Sequence, residues 1–161
     1  MAGSGSAQDM KAPVDCTTAQ VALPPELSGW ASRVPLSAAR DKAGLDRAVL
    51  TPGKALTAKL VQTGGVRYPL RPEKPGGSVS YGGLLSFSIR EAGNYRVALG
   101  SGAWIDVVRD GKPVPSIAHG HGPDCSGIRK TVNFTLTPGR YLLQLSANGT
   151  ETLPVMIARL P

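Results

Sequence analysis

The sequence predicts an all-β protein: an antiparallel β-sandwich of jelly-roll type, preceded by an extended N-terminal arm. Three observations carry this. A strand–turn–strand phrase occurs twice, as Phe87-Ser-Ile89-Arg-Glu-Ala-Gly93-Asn-Tyr95-Arg-Val97-Ala-Leu99 and as Phe134-Thr-Leu136-Thr-Pro-Gly139-Arg-Tyr141-Leu-Leu143-Gln-Leu145. In each copy apolar residues alternate with others, and a period of two places them on one face of a strand. The second observation is that 20 Gly and 14 Pro among 161 residues fall between short apolar runs, the punctuation of a fold with many turns. Third, Asp110-Gly111 and Asn148-Gly149 are hairpin turn signals.

Residues 1–20 are small and polar and read as a flexible lead or tag remnant, with a single sandwich domain over 21–161. In the arm, Pro24-Pro25 favours extended geometry, and Leu23, Leu27 and Trp30 are placed to pin it onto the sandwich. Residues 37–50 have helical composition, but Gly44 limits them to a short helical turn. Strands are expected over 55–62, with 66–70 extending or pairing with it, and then over 79–81, 84–90, 94–99, 103–109, 132–136, 140–146 and 153–160. The breaker-rich segment 71–77 reads as a surface loop.

With 18 Lys and Arg against 11 Asp and Glu, the chain carries a formal charge of +7, which suits anionic partners. The charge is scattered; Lys54, Lys59, Arg67, Arg71 and Lys74 are its densest run. Aromatic residues are only 5% and most sit in the core phrase, so the interleaved basic–aromatic surface of a single-strand nucleic-acid binder is missing. No apolar run reaches the length of a membrane span, and no partner nucleic acid or transmembrane segment is expected. Cys16 and Cys125 lack the paired spacing of a thiolate zinc site and are expected to form a disulfide, which implies an oxidising, periplasmic or secreted location. Residues 1–8 show neither the basic start nor the apolar run of a signal peptide; Ala2 to Ala7 reads as an expression linker or a mature end restarted with Met.

One segment concentrates chemistry: Ser116-Ile-Ala-His119-Gly-His121-Gly-Pro-Asp124-Cys125-Ser-Gly-Ile-Arg129-Lys130. In an extended chain His119 and His121 point to the same side, and with Asp124 they form a candidate copper or zinc ligand set. A glycine-rich loop stapled by the disulfide explains the same residues without metal. Trp104, Asp106 and Arg109 on the preceding strand, with Arg129 and Lys130, are the candidate ligand-binding neighbours. No Gly-x-Ser-x-Gly elbow, phosphate loop or zinc-protease helix motif occurs, and no catalytic residue is assigned.

The repeated phrase, followed by Trp104-Ile-Asp-Val-Val-Arg-Asp-Gly111, resembles the small β-sandwich domains of exported bacterial proteins, the pre-peptidase C-terminal type being the nearest, over about residues 79–160. That resemblance implies an accessory or ligand-binding module. The expected function is therefore a non-catalytic, exported binding module with its site on the His119–Lys130 loop. Two alternatives stay open: a periplasmic copper or zinc binder using His119 and His121, and a binder of envelope polysaccharide through the basic face, with Trp30, Tyr68 or Tyr81 stacking on sugar. The partner is an unidentified protein or an anionic envelope ligand.

Overall fold

The computed structural model describes residues 15–17 and 21–161, so the lead segment lies almost entirely outside the described residues. Two sheets face each other. One runs β1 (Val34–Ser37), β2 (Leu56–Lys59), β11 (Thr152–Arg159), β5 (Gly93–Leu99), β9 (Lys130–Leu136) and β8 (Ala118–Gly120). The other runs β3 (Val61–Gln62), β4 (Tyr81–Ile89), β10 (Gly139–Asn148), β6 (Trp104–Arg109) and β7 (Lys112–Pro113). Among the described residues the strands pair antiparallel except β1 with β2, and an isolated parallel bridge joins Val49 to Ser86. Within these sheets β2-β11-β5-β9 opposes β4-β10-β6-β7, the later strands slotting between earlier ones as in a jelly roll.

The repeated phrase has a structural reason. Its two copies are the β4–β5 and β9–β10 units, whose alternating residues (Phe87, Val97, Phe134 and Leu143 among them) fill the space between the sheets and are almost wholly buried. Each tyrosine ties back across its own turn: Tyr95 donates to the carbonyl of Glu91 at 2.7 Å, and Tyr141 to that of Thr137 at 2.9 Å. Tyr141 does more, because its oxygen also accepts from the Thr137 amide at 3.1 Å and from Arg109 at 2.8 Å, and its ring stacks on Phe87 with centroids 5.3 Å apart. Tyr95→Phe should therefore cost about 1 kcal/mol in denaturant unfolding, and Tyr141→Phe about 2–3 kcal/mol, because the second leaves donors unpaired. Equal losses would contradict this.

Strand ends fall within a residue or two of expectation for most of the core, but three segments differ. Val79 lies in a turn and Ser80 outside the strand, while residue 81 of the expected strand 79–81 joins residues 84–89 in one strand, β4, through Gly82 and Gly83. The gap between them is filled from outside: the Tyr68 hydroxyl donates to the Leu145 carbonyl at 2.7 Å, and a Cβ on Gly82 would overlap that hydroxyl. The stretch 55–62 divides at Leu60 into β2 and β3, which belong to different sheets. Residues 66–70 form no strand; they cross the outer face of the five-stranded sheet, where Leu70 exchanges hydrogen bonds with the Gln144 amide at 3.1 and 2.8 Å. The helical turn appears as a 3₁₀ segment, Lys42–Arg47, started by the Asp41 carboxylate accepting from the Gly44 amide.

The arm pins as expected on the outer face of the six-stranded sheet, but it is not extended over 25–31: Pro25, whose fixed φ suits a first helical position, opens a helical turn there. A 3₁₀ turn over Pro25–Ala31 buries Leu27 and Trp30 against Ala98, Met156, Ala158 and Ile128, a cluster separate from the main core. Trp30 is 3% exposed, which removes it as a sugar-stacking residue, and its indole N–H donates to the Ser126 carbonyl at 3.0 Å. Cys16 and Cys125 are joined in a disulfide spanning 109 residues of sequence. No described helix is long and apolar enough to cross a membrane.

Candidate binding cleft

The site grows out of one hairpin and the place where it fails. Asp110 and Gly111 take positive φ, 51° and 76°, which suits a two-residue turn whose twist matches the strands it joins. The hairpin pairs Arg109 with Lys112, and Val107 accepts from the Val114 amide at 2.8 Å. Continued by two residues, that register would set Ile105 against Ser116. It does not continue. Pro115 follows, and by Ile117 the chain has changed sheets, its amide bonding the Asn133 carbonyl at 2.8 Å before β8 pairs with β9. The crossover leaves a cleft of about 410 Å³ between the free edge of β6 and the β8–β9 hairpin. Trp104, Ile105, Asp106, Ser116, His119 and Lys130 line it, with Val132 and Phe134 on its apolar side.

Alternation along β6 turns Trp104 and Asp106 outward while Ile105 and Val107 enter the core. The Trp104 indole N–H donates to Asp106 Oδ1 at 3.2 Å, whereas Oδ2 is buried without a hydrogen-bond partner among the described residues. Burial pushes the Asp106 carboxyl above its usual range, against the Trp104 indole, the Glu73 backbone N–H and the Lys130 charge, which lower it, while the nearby Glu73 charge adds to the rise. Lys130 crosses the open end, donating to the Ala103 carbonyl at 2.8 Å with its ammonium 4.8 Å from the centre of the Trp104 ring. Lys74, from the loop over the outer face, places a second ammonium 4.9 Å from the same ring. Among the described residues neither lysine has a carboxylate within ion-pair distance. Desolvation, then the Lys74 charge, lowers the Lys130 pKa; Asp106 works the other way. Tyr68, beneath the same loop, is raised to about 12, by burial first and then by the Asp106 charge.

No protein-family model matches the chain, and no curated protein matches it.

The cleft therefore joins part of the residue set picked from the sequence and leaves the rest apart. Trp104, Asp106, Lys130 and His119 share it. Arg109 does not: it sits at the far end of β6, donating to Thr137 and to the Pro138 carbonyl at 2.7 and 2.9 Å, and serves the Tyr141 turn. Arg129 is exposed, in the loop one residue before β9 begins. His119 Nε2 lies 3.1 Å from Ser116 Oγ, while His121 and Asp124 are exposed beyond the end of β8, and Cys125 is committed to the disulfide. Among the described residues no group of three or more His, Cys, Asp or Glu side chains is placed to hold a metal ion. Tyr68, read from the sequence as a surface aromatic, is instead part-buried under the loop and hydrogen-bonded.

Sequence reasoning missed Lys74 as a member of the site and Ile105 as an open backbone edge. The signal for Lys74 lies in Gln144 and Ser146, which alternate outward on β10 yet are fully buried. They hold the 70–74 loop in place, Ser146 donating to the Lys74 carbonyl at 2.8 Å.

The Asp106 geometry has a measurable consequence. A carboxyl raised in the folded state binds its proton more tightly there than in the unfolded chain, so its contribution to stability is lost as pH rises through the folded pKa. Asp106→Asn should raise the melting temperature at pH 7, and the gain should vanish near pH 3, where the wild-type carboxyl is protonated. A lower melting temperature at pH 7 would mean that the Trp104 bond, the Glu73 backbone and the Lys130 charge together outweigh the cost of burying the carboxylate.

Proposed function

We propose that this β-sandwich is a non-catalytic, exported binding module whose ligand enters the cleft between β6 and the β8–β9 hairpin and presents an anionic group to Lys130 and Lys74. The observation that carries this is the pair of ammonium groups set against one indole, neither of them ion-paired among the described residues. Beside them Asp106 keeps a buried oxygen without a partner, an arrangement that costs stability and is typical of sites rather than scaffolding. The Cys16–Cys125 bond supports export, since such bonds persist in oxidising compartments. The Ser116–His119 pair has the spacing of a nucleophile and base. Both side chains are exposed, however, and among the described residues no hydrogen bond orients the imidazole through its other nitrogen, which supports binding over catalysis.

The test is a ¹⁵N NMR titration with oligogalacturonate, an anionic probe. The expected result is saturable shifts concentrated on residues 103–107 and 130, weakening steeply between low and 0.15 M salt because the screening length there is about 8 Å. Lys130→Met together with Lys74→Met should reduce affinity at least tenfold. Shifts located elsewhere, or an affinity indifferent to both lysines, would defeat the reading.

A further inference from the structure

The open edge of β6 specifies more than charge. Along this edge the odd-numbered residues direct their backbone N–H and C=O outward from the sheet: Val107 bonds the Val114 amide, and the Ala103 carbonyl accepts from Lys130. Ile105 lies between them with the same orientation, and among the described residues no strand pairs with it on that side, because Pro115 and the crossover carry the chain away. An N–H and a C=O beside each other at a strand edge are complementary to one residue of an extended peptide.

Both ends of this edge are closed, by Val114 at one end and by Lys130 at the other. A chain passing through would need two exits, whereas a chain end needs one, over the exposed Ser116 and His119. The ammonium of Lys130 has three protons and gives one to Ala103, so two remain for a carboxylate. Resting on the reading of the cleft as an anion-binding site, we propose that it takes the free C-terminus of an extended polypeptide. The peptide adds antiparallel to β6, with one residue exchanging both backbone hydrogen bonds with Ile105. Its terminal carboxylate then lies at the Trp104 end of the strand, against Lys130 and Lys74. The residue paired with Ile105 shares its face and directs its side chain toward Val132 and Phe134, so an apolar side chain is required there. The preceding residue lies on the Asp106 side, where the carboxylates of Asp106 and Glu73 line the cleft and favour a basic side chain.

The probe is acetyl-Lys-Val-Ala as free acid, titrated into the ¹⁵N-labelled protein beside its C-terminal carboxamide and its N-methyl-valine analogue. The free acid should shift the Ile105 amide and the Trp104 indole saturably. Both analogues should bind at least tenfold more weakly, one for lack of the charge and the other for lack of the donor to the Ile105 carbonyl. In the double variant Lys130→Met with Lys74→Met, with the remaining spectrum unchanged, free acid and carboxamide should bind alike. A carboxamide or N-methyl analogue that binds as well as the free acid overturns the proposal. Oligogalacturonate shifting the cleft while all three peptides leave it unmoved overturns the peptide terminus alone and keeps the anion site; silence from every probe overturns both.

Discussion

Replacing Cys16 and Cys125 together with serine should lower the unfolding free energy by about 4–5 kcal/mol, the chain-entropy value for freeing a loop of this size, spanning 109 residues here. That is a large fraction of the 5–15 kcal/mol that a typical domain has. The measurement is urea unfolding of the double variant beside the oxidised protein. A second comparison separates the crosslink from its backbone. Cys125 holds φ at +64°, a region that disfavours any residue with a Cβ. In a Cys16→Ser background, Cys125→Gly should therefore be more stable than Cys125→Ser by up to about 1 kcal/mol. A double serine variant with unchanged stability would show that the arm is held by packing alone. The consequence reaches the cleft as well, because the same loop leads into Lys130, so the variant should also bind anionic probes more weakly.

How much of this was legible in the sequence depends on which force decides each element. Strands β4, β5, β9, β10 and β11 are set by their own alternation: Leu85, Phe87, Val97, Phe134, Leu143 and Val155 must face inward, and a shift of one residue would expose them all. Pairing is a different matter. The segment containing Ala39 and Val49 seals the edge of β4 through bridges to Leu84 and Ser86, and β1 adds a parallel partner to β2. Both are set by which free edge a neighbouring segment can reach, and local residue patterns do not record that. The site divides along the same line. Trp104, Asp106 and Lys130 could be grouped because a short hairpin and loop join their strands. Lys74 arrives through a loop whose course depends on the Gln144 amide finding the Leu70 backbone, a contact 74 residues apart in sequence. Gln144 and Ser146 mislead in the same way: polar residues in an outward register predict solvent, and here they are covered by a loop that satisfies them. The open edge at Ile105 was partly written in Pro113 and Pro115, since a strand with two prolines cannot extend a ladder far.

Trp30→Ala should cost about 3–5 kcal/mol, comparable with loss of the disulfide, and the two losses should not add. The indole fills the centre of the outer cluster of Leu27, Ala98, Ile128 and Met156, so truncation leaves a cavity as well as lost burial. It also leaves the Ser126 carbonyl without its indole donor, and removes the ring over which Arg33 lies at 5.0 Å. Trp30→Phe, which keeps most of the packing, should lose less than half as much. The non-additivity follows from geometry: Ser126, Ile128 and Cys125 belong to one short loop, fastened on one side by the arm's tryptophan and on the other by the crosslink. Once either fastening is gone the loop can leave the sheet, and the second has less left to hold. A double-mutant cycle should therefore give a combined loss smaller than the sum by at least about 1 kcal/mol. Strict additivity would instead mean that the arm and the loop detach independently. In that case the arm would be a cover for Ala98, Met156 and Ala158 only, and Trp30→Ala would leave affinity at the Lys130 cleft untouched; the coupled arrangement predicts that it falls.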